Sequence, residues 1–287
     1  MPWNSEPVRS KRRSGAAAAI AVVLVCGLIY LILRPSTPPA PPRATGCEAD
    51  PGGLDLQLTP GQAGIAATIA GVASRRALPT RAVAIAYATA LQESKLANLH
   101  YGDRDSVGIF QQRPSEGWGT TQQIEDPVYA TDRFFDALTA VPNYLSLPIY
   151  AAAQDVQHSA DGSAYGQYAA TGSALATAFT GADPHAVWCS YAGAPGKPRL
   201  AAASQAMTQA FGLVSAGAPG RTMAIQVSYQ QQGWAVAAWL VSNAWAFGVA
   251  TVRYGRYQWS GFTGTGQWTA RPASAGATGA TASVEFG

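Results

Sequence analysis

The chain has 287 residues, of which 48% are hydrophobic and 12% charged, and its formal net charge is +3. This length suggests one main domain with a smaller partner. Residues 44–188 carry seven basic and fourteen acidic side chains, whereas residues 189–287 carry six and one. The acidic first half argues against nucleic-acid binding. The basic second half favours contact with an anionic surface, or is simply a solvated surface of modest charge.

The N-terminus predicts the compartment. A basic tail, residues 1–14, precedes residues 15–33, which contain no charged side chain. A helix of that length spans roughly 28 Å, enough to cross a bilayer core. The basic flank predicts a single-pass membrane anchor with the C-terminal part extracytoplasmic. The alternative is a cleaved signal peptide and a secreted protein. Residues 34–46 contain five prolines and predict a semi-rigid linker.

Two cysteines lie outside the apolar run, which itself contains Cys26. Thiols outside the cytoplasm tend to pair, so we expect a disulfide between Cys47 and Cys189. A catalytic cysteine is the alternative, but no Cys–His arrangement accompanies either residue.

Helix signals dominate residues 47–213. Thr59-Pro60 and Asp126-Pro127 each combine an N-cap residue with proline at the first helical position. Residues 83–91 are apolar nearly all round, which predicts a buried helix. Almost no alternating pattern occurs before residue 220, so this domain is predicted to be mainly α.

The remainder differs in kind. Residues 214–222 are predicted to be a second linker. Residues 223–271 combine two strand patterns with a tryptophan-containing helix, which predicts a small α+β accessory domain. The final stretch, 272–287, is rich in Ala, Gly, Ser and Thr and is expected to be disordered.

Glu93 ends the apolar helix and is the first candidate for chemistry. A carboxyl group against apolar walls keeps its proton more readily, as a general acid requires. Lys95, two positions on, should point to a different side of the helix. The alternative is an ordinary solvent-facing glutamate near a helix C-terminus.

The sequence around Glu93 carries a family resemblance. Glu93-Ser94, followed fifteen residues later by Gly108-Ile-Phe-Gln111, resembles the Glu-Ser … Gly-Leu-Met-Gln pattern of lytic transglycosylases and goose-type lysozymes. The longer run 88–119 resembles a lysozyme-like domain of actinobacterial cell-surface proteins, and the similarity covers roughly residues 47–190. Residues 233–259 are similar to a small accessory domain found beside cell-wall enzymes. The pattern departs at Tyr191-Ala-Gly-Ala-Pro-Gly196, which lacks the asparagine that transglycosylases commonly carry there.

The resemblance implies a lysozyme-like (transglycosylase or goose-type) helical domain that cleaves the β-1,4 bond between N-acetylmuramic acid and N-acetylglucosamine in peptidoglycan. It makes Glu93 the general acid and then the base. It also implies that Gln111 lines the sugar cleft and that Ser94 supports the loop of the acid.

Asp103 and Asp105 bear on the reaction product. An aspartate placed across from the acid would activate water and give hydrolysis, and both are catalytic candidates. Without one, the 6-hydroxyl of the sugar attacks and an anhydro ring results, as in transglycosylases. The alternative is that Gly-Asp-Arg-Asp-Ser is only a polar turn. Further candidates for substrate contact are five residues with stacking or polar side chains: Tyr101, Gln112, Arg113, Trp118 and Tyr129.

His100, His158 and His185 lack metal-site spacing, so neither a metal nor a cofactor is expected. The expected partners are peptidoglycan glycan strands, anionic wall polymers at the C-terminal domain, and the membrane at residues 15–33. The second hypothesis is a non-catalytic, lysozyme-like protein that binds or scaffolds the cell wall.

Overall fold

A computed structural model describes Met1 and residues 45–158, 162–213, 215–218, 221–272 and 281–287. The basic tail, the apolar run 15–33 and the proline-rich linker up to residue 44 lie outside these residues. Within the described ranges, no helix has the length and apolar character needed to cross a membrane. All described residues from 45 onward belong to one compact unit.

The secondary structure is mixed, with nine α-helices and nine strands among the described residues. The helices are α1 (Pro60–Arg75), α2 (Thr80–Ser94), α3 (Thr121–Ile124), α4 (Pro127–Ala140), α5 (Ile149–Gln157), α6 (Ala169–Phe179), α7 (Leu200–Phe211), α8 (Gln230–Ser242) and α9 (Ala244–Phe247). The strands are β1 (Gly46–Ala49), β2 (Leu56–Leu58), β3 (Val187–Ser190), β4 (Ser215–Ala218), β5 (Thr222–Gln226), β6 (Val249–Tyr254), β7 (Tyr257–Trp259), β8 (Thr269–Ala270) and β9 (Thr281–Phe286). Short 3₁₀ helices occur at Pro51–Gly53, Pro114–Glu116 and Gly162–Tyr168.

Two helix starts follow the predicted capping chemistry. The Thr59 side chain accepts a hydrogen bond from the backbone N–H of Gln62 and completes a capping box. The Asp126 side chain accepts from the N–H groups of Val128 and Tyr129. Proline follows both caps, where its missing N–H leaves no intrahelical bond unmade. Both predicted starts are confirmed.

Helix α2 is the buried centre of the helical part. Every residue from Ala82 to Ala90 is buried, which confirms the prediction from its apolar run. Its closest neighbour is α6, where Gly172 faces α2. A Cβ atom at Gly172 would lie 2.8 Å from the carbonyl oxygen of Ala84 and 2.9 Å from the backbone nitrogen of Ala88. The absence of a side chain therefore lets the two helix backbones touch.

A three-stranded sheet joins the two ends of the helical part. Its order is β2-β1-β3, and both pairings are antiparallel. The register sets Cys47 directly opposite Cys189, and the two residues form a disulfide. The predicted pairing is confirmed.

A second, six-stranded sheet has the order β4-β5-β9-β6-β7-β8. Its strands overturn two expectations, since residues 215–218 of the predicted linker form β4 and residues 281–286 of the predicted disordered tail form β9. Strand β9 pairs with both β5 and β6, so the end of the chain lies inside the sheet. Alternate residues of β9 are buried, a period-2 pattern that its small-residue composition conceals.

Helix α8 connects the expected accessory domain to the first domain. Gln232 to Ser242 are all buried, because α8 packs against α1 on one side and β6 on another. The first domain and residues 223–271 thus share one core, and the fold is mixed where a mainly α domain with a separate small α+β domain was expected. Trp259 is fully buried and donates a hydrogen bond from Nε1 to the carbonyl oxygen of Cys189.

The contact between α8 and β6 gives a first prediction. A Cβ atom at Gly233 would lie 2.0 Å from Cζ of Tyr254. We expect Gly233→Ala to lower the free energy of unfolding by about 1–3 kcal/mol, because the ring must shift within a packed core. Urea unfolding followed by tryptophan fluorescence measures the change. Gly61→Ala is the matched control, since its Cβ would meet nothing closer than 4.0 Å. Equal stabilities of the two variants would contradict the packing.

Candidate functional site

The end of α2 is fixed to the loop that follows it. Lys95 and Leu96 both have left-handed backbone conformations and turn the chain away from the helix axis. Residues 99–112 then fold back on themselves through isolated bridges between Leu99 and Gly108 and between Val107 and Gln112. The buried Ser94 hydroxyl donates to the carbonyl oxygen of Ile109 at 2.8 Å. Ser94 therefore holds the loop against the last turn of α2. It does not line the neighbouring cleft.

A cleft of about 930 Å³ opens beside this turn. Its walls come from the end of α2, the loop 103–118, α4 and the end of α5. The lining is mostly polar and carries charges of both signs: Glu93, Asp103, Arg104, Ser106, Gln111, Gln112, Arg113, Glu116, Gly117, Trp118, Arg133, Asp136, Ala137, Gln157 and His158. A volume at the upper end of the range for small-molecule sites suits an extended ligand.

Glu93 is half-buried at the wall of this cleft. The Tyr165 hydroxyl donates a hydrogen bond to Glu93 Oε1 at 2.6 Å. Tyr165 lies in the 3₁₀ helix Gly162–Tyr168 and is 1% exposed, so its hydroxyl is held in place by packing. Among the described residues Glu93 has no ion pair. A carboxyl group held by a neutral donor and open to a cleft can exchange a proton with a bound group.

Lys95 points away from Glu93, as expected. Its ammonium group donates to the Tyr168 hydroxyl at 2.5 Å and lies 4.5 Å from the centre of that ring. The ammonium group of Lys95 therefore interacts with Tyr168 on another side of the helix end.

The two aspartates of the polar turn differ sharply. The Asp103 side chain lines the cleft, is 92% exposed and has Arg104 at 3.9 Å. Asp105 accepts hydrogen bonds from the Ser115 backbone N–H at 2.8 Å, from the Ser115 hydroxyl and from Arg113 Nε. The Ser115 N–H is the main cause that lowers the pKa of Asp105, so this carboxylate stays ionised. Asp105 fixes the loop and is not among the residues that line the cleft.

The paired glutamines face different surroundings. Gln111 lines the cleft and donates from Nε2 to the carbonyl oxygens of Tyr101 and Gly108, while its Oε1 accepts from Ser106. A Cβ atom at Gly102 would lie 1.9 Å from that Oε1, so glycine there leaves room for the amide. Gln112 is 1% exposed and donates to the carbonyl oxygen of Ala130 on α4. Its Oε1 is buried without a partner among the described residues.

Of the remaining candidates for substrate contact, two line the cleft and two do not. Arg113 lines the cleft but is already paired with Asp105 and Glu116. Trp118 lines the cleft while packing partly against the core. Tyr129 donates to the carbonyl oxygen of Trp118 at 3.2 Å from outside the lining, and Tyr101 is exposed and also outside it. The fold therefore does not bring Tyr101 or Tyr129 to the cleft with Glu93.

Sequence reasoning did not select several residues at this site, notably Tyr165, Arg133, Asp136 and Gln157. Tyr165 is separated from Glu93 by 72 residues, and no motif marks it. Arg133 and Asp136 lie three residues apart on α4, a spacing that places them on one face. That spacing signals a shared face but does not say that the face borders a cleft.

No group of histidine, cysteine, aspartate and glutamate side chains capable of holding a metal ion occurs in the described part of the chain. A comparison with protein-family models finds no match, and a search of curated proteins finds none either.

Proposed function

We propose that the chain is a membrane-anchored, extracytoplasmic enzyme that cleaves the β-1,4 bond between N-acetylmuramic acid and N-acetylglucosamine in peptidoglycan. The observation that carries this proposal is the half-buried carboxyl of Glu93, held by Tyr165 at the wall of a large polar cleft. The motif around Glu93 supports it, and so does the resemblance of residues 47–190 to a lysozyme-like domain. The N-terminal apolar run supplies the proposed anchor.

Cleavage of a glycosidic bond requires protonation of the leaving oxygen. In the proposed mechanism Glu93 donates this proton as the bond between C1 and the leaving oxygen breaks. Both N–H groups of the Gln111 amide are already donated to backbone carbonyls, but its Oε1 can accept a second hydrogen bond from a sugar hydroxyl or acetamido N–H. The face of Trp118 suits stacking against a sugar ring. The exposed Arg256 and the basic C-terminal part are proposed to meet anionic wall polymers.

The aspartates favour an intramolecular second step. Asp105 has three hydrogen-bond donors on its carboxylate, and Asp103 is nearly fully exposed. Neither is held as a base for water. We therefore propose that the 6-hydroxyl of the muramic acid attacks C1 and forms the C1–O6 bond. Its proton passes to the Glu93 carboxylate, which restores the acid.

The test is product analysis. The full chain is incubated with purified peptidoglycan, and the released fragments are analysed by mass spectrometry. We expect fragments with 1,6-anhydromuramic ends. Reducing ends would keep the enzyme class but contradict the intramolecular step, and an absence of fragments would refute the proposed activity.

Tyr165→Phe tests the support of Glu93. Phenylalanine preserves the buried ring but removes the hydroxyl that donates to Glu93 Oε1. We expect kcat to fall about tenfold with KM nearly unchanged, because one hydrogen bond that orients the reacting group is lost. Initial rates on soluble glycan strands measure both constants. Tyr168→Phe is the matched control, since that hydroxyl contacts Lys95. Equal kcat for wild type and Tyr165→Phe would remove Tyr165 from the proposed mechanism.

A second candidate function is a non-catalytic wall-binding protein or scaffold. The other three carboxylates of the cleft favour it, because each has an arginine neighbour: Asp103 with Arg104, Glu116 with Arg113, and Asp136 with Arg76. A cleft of paired charges suits binding without turnover. This alternative predicts that peptidoglycan pulls down wild type and Glu93→Gln equally while neither releases fragments.

A further inference from the structure

An ion-pair network lies between α1 and α4, beside the cleft. Arg75 contacts Asp132 at 2.5 Å. Arg76 lies 3.4 Å from Asp132 and 2.8 Å from Asp136. The two aspartates of α4 are thus neutralised by Arg75 of α1 and by Arg76, which directly follows α1. Arg133 is left as surplus positive charge on α4.

Arg133 is weakly engaged by its neighbours. Its shortest ionic contact is Nη1 to Asp136 at 3.5 Å, and that aspartate already has the closer Arg76. Its Nε is buried and has no partner among the described residues. The side chain is 42% exposed and lines the cleft. A guanidinium group has five N–H donors, so most donors of Arg133 have no partner within the described part of the chain.

The other arginines of the cleft differ from Arg133. Arg113 is held by Asp105 and Glu116, and its side chain is only 21% exposed. Arg104 is 69% exposed on the turn and projects largely into solvent. Arg133 combines a rigid helical position, partial burial and unsatisfied charge, which are the properties of an anion-binding side chain.

We propose that Arg133 forms a subsite for a carboxylate of the peptide stem that peptidoglycan carries on its muramic acid residues. The inference rests on the proposed function and names the form of substrate preferred, which is peptide-bearing glycan. The sugar rings of an intact wall are uncharged, whereas the stem peptides end in carboxylates. Arginine pairs with a carboxylate through two parallel hydrogen bonds, and partial burial strengthens that pair.

The test compares two substrates with the full chain. One is a soluble glycan strand with intact stem peptides, and the other is the same strand after the peptide carboxylates have been converted to amides, because removal of the peptides would expose the lactyl carboxylate of each muramic acid. We expect Arg133→Gln to raise KM about tenfold on the unmodified strand, because a charge-assisted hydrogen bond is lost. KM on the amidated strand should stay unchanged, and Arg133→Lys should restore part of the difference. Equal effects on both strands, or none on either, would overturn the subsite.

A binding experiment separates failure of the subsite from failure of the proposed function. Calorimetry with a disaccharide-tetrapeptide and with the same compound after amidation of its carboxylates is carried out on Glu93→Gln, with and without Arg133→Gln. We expect Arg133→Gln to weaken only the first ligand. Arg199→Gln removes the same charge outside the cleft and serves as the control. Weakening by Arg133→Gln without wild-type turnover would refute catalysis but retain the subsite. Wild-type turnover without this selective weakening would refute the subsite but retain the proposed catalysis.

Discussion

Replacing Glu93 by glutamine should lower the release of peptidoglycan fragments by about 100- to 10,000-fold, the range for loss of a positioned acid–base group. Glutamine has nearly the same shape but can neither donate nor take up the proton. Its amide oxygen can still accept the Tyr165 hydrogen bond, and the position is half-buried. Stability and glycan binding should therefore remain close to those of wild type, and the loss should appear in kcat.

The matched control is Glu48→Gln, which removes a carboxylate on β1 outside the cleft. Both variants are assayed by zymography and by mass analysis of fragments, with thermal unfolding as a check of folding. Glu48→Gln should digest peptidoglycan at the wild-type rate. Full activity of Glu93→Gln would remove Glu93 as the acid, and a large drop in its melting temperature would mean that the side chain is structural.

Local chemistry explains what the sequence predicts well. Thr59 and Asp126 cap helices because their side chains satisfy N–H groups that the helix itself leaves unpaired. The apolar run of α2 predicts burial because no face of it could remain in water. Cys47 and Cys189 are found to pair, consistent with their being the two cysteines outside the apolar run.

The strands of the C-terminal part depend on partners far along the chain. Strand β9 consists of Thr-Ala-Ser-Val-Glu-Phe, which is too short and too small-sided to indicate a strand by itself. It becomes central because β5 and β6 supply hydrogen bonds on both of its edges. A segment whose composition is typical of disorder therefore forms a strand once partner strands far along the chain are available.

The candidate site likewise depends on contacts that the local sequence does not reveal. Asp105 is a catalytic candidate by sequence, yet it accepts a hydrogen bond from the backbone N–H of Ser115, ten residues away, and fixes the loop. Tyr165 and Arg133 reach the cleft through the packing of the 3₁₀ helix and α4. Residue type and spacing indicate Glu93 as the candidate acid, whereas the tertiary fold determines which side chains surround it.

Removal of the disulfide should give the largest loss of stability. The bridge closes a loop of 142 residues between β1 and β3, and a loop of that size stabilises the folded state by about 5 kcal/mol in the chain-entropy account, with measured losses of about 2–5 kcal/mol. Both cysteines are buried, at 1% and 0% exposure. The Cys189 carbonyl also accepts from Trp259, so the bridge lies where the helical part meets the six-stranded sheet.

We expect Cys47→Ala/Cys189→Ala to unfold at a clearly lower urea concentration than wild type, with tryptophan fluorescence as the probe. Reduction of wild type with dithiothreitol should produce a shift in the same direction, because it opens the same loop in the unfolded state. The reductant should have no further effect on the double variant, which controls for changes elsewhere. Since fragment release requires the folded chain, the double variant should also lose it at a lower temperature than wild type. Coincident urea transitions for wild type and the double variant would show that the strand pairing alone holds the two ends together.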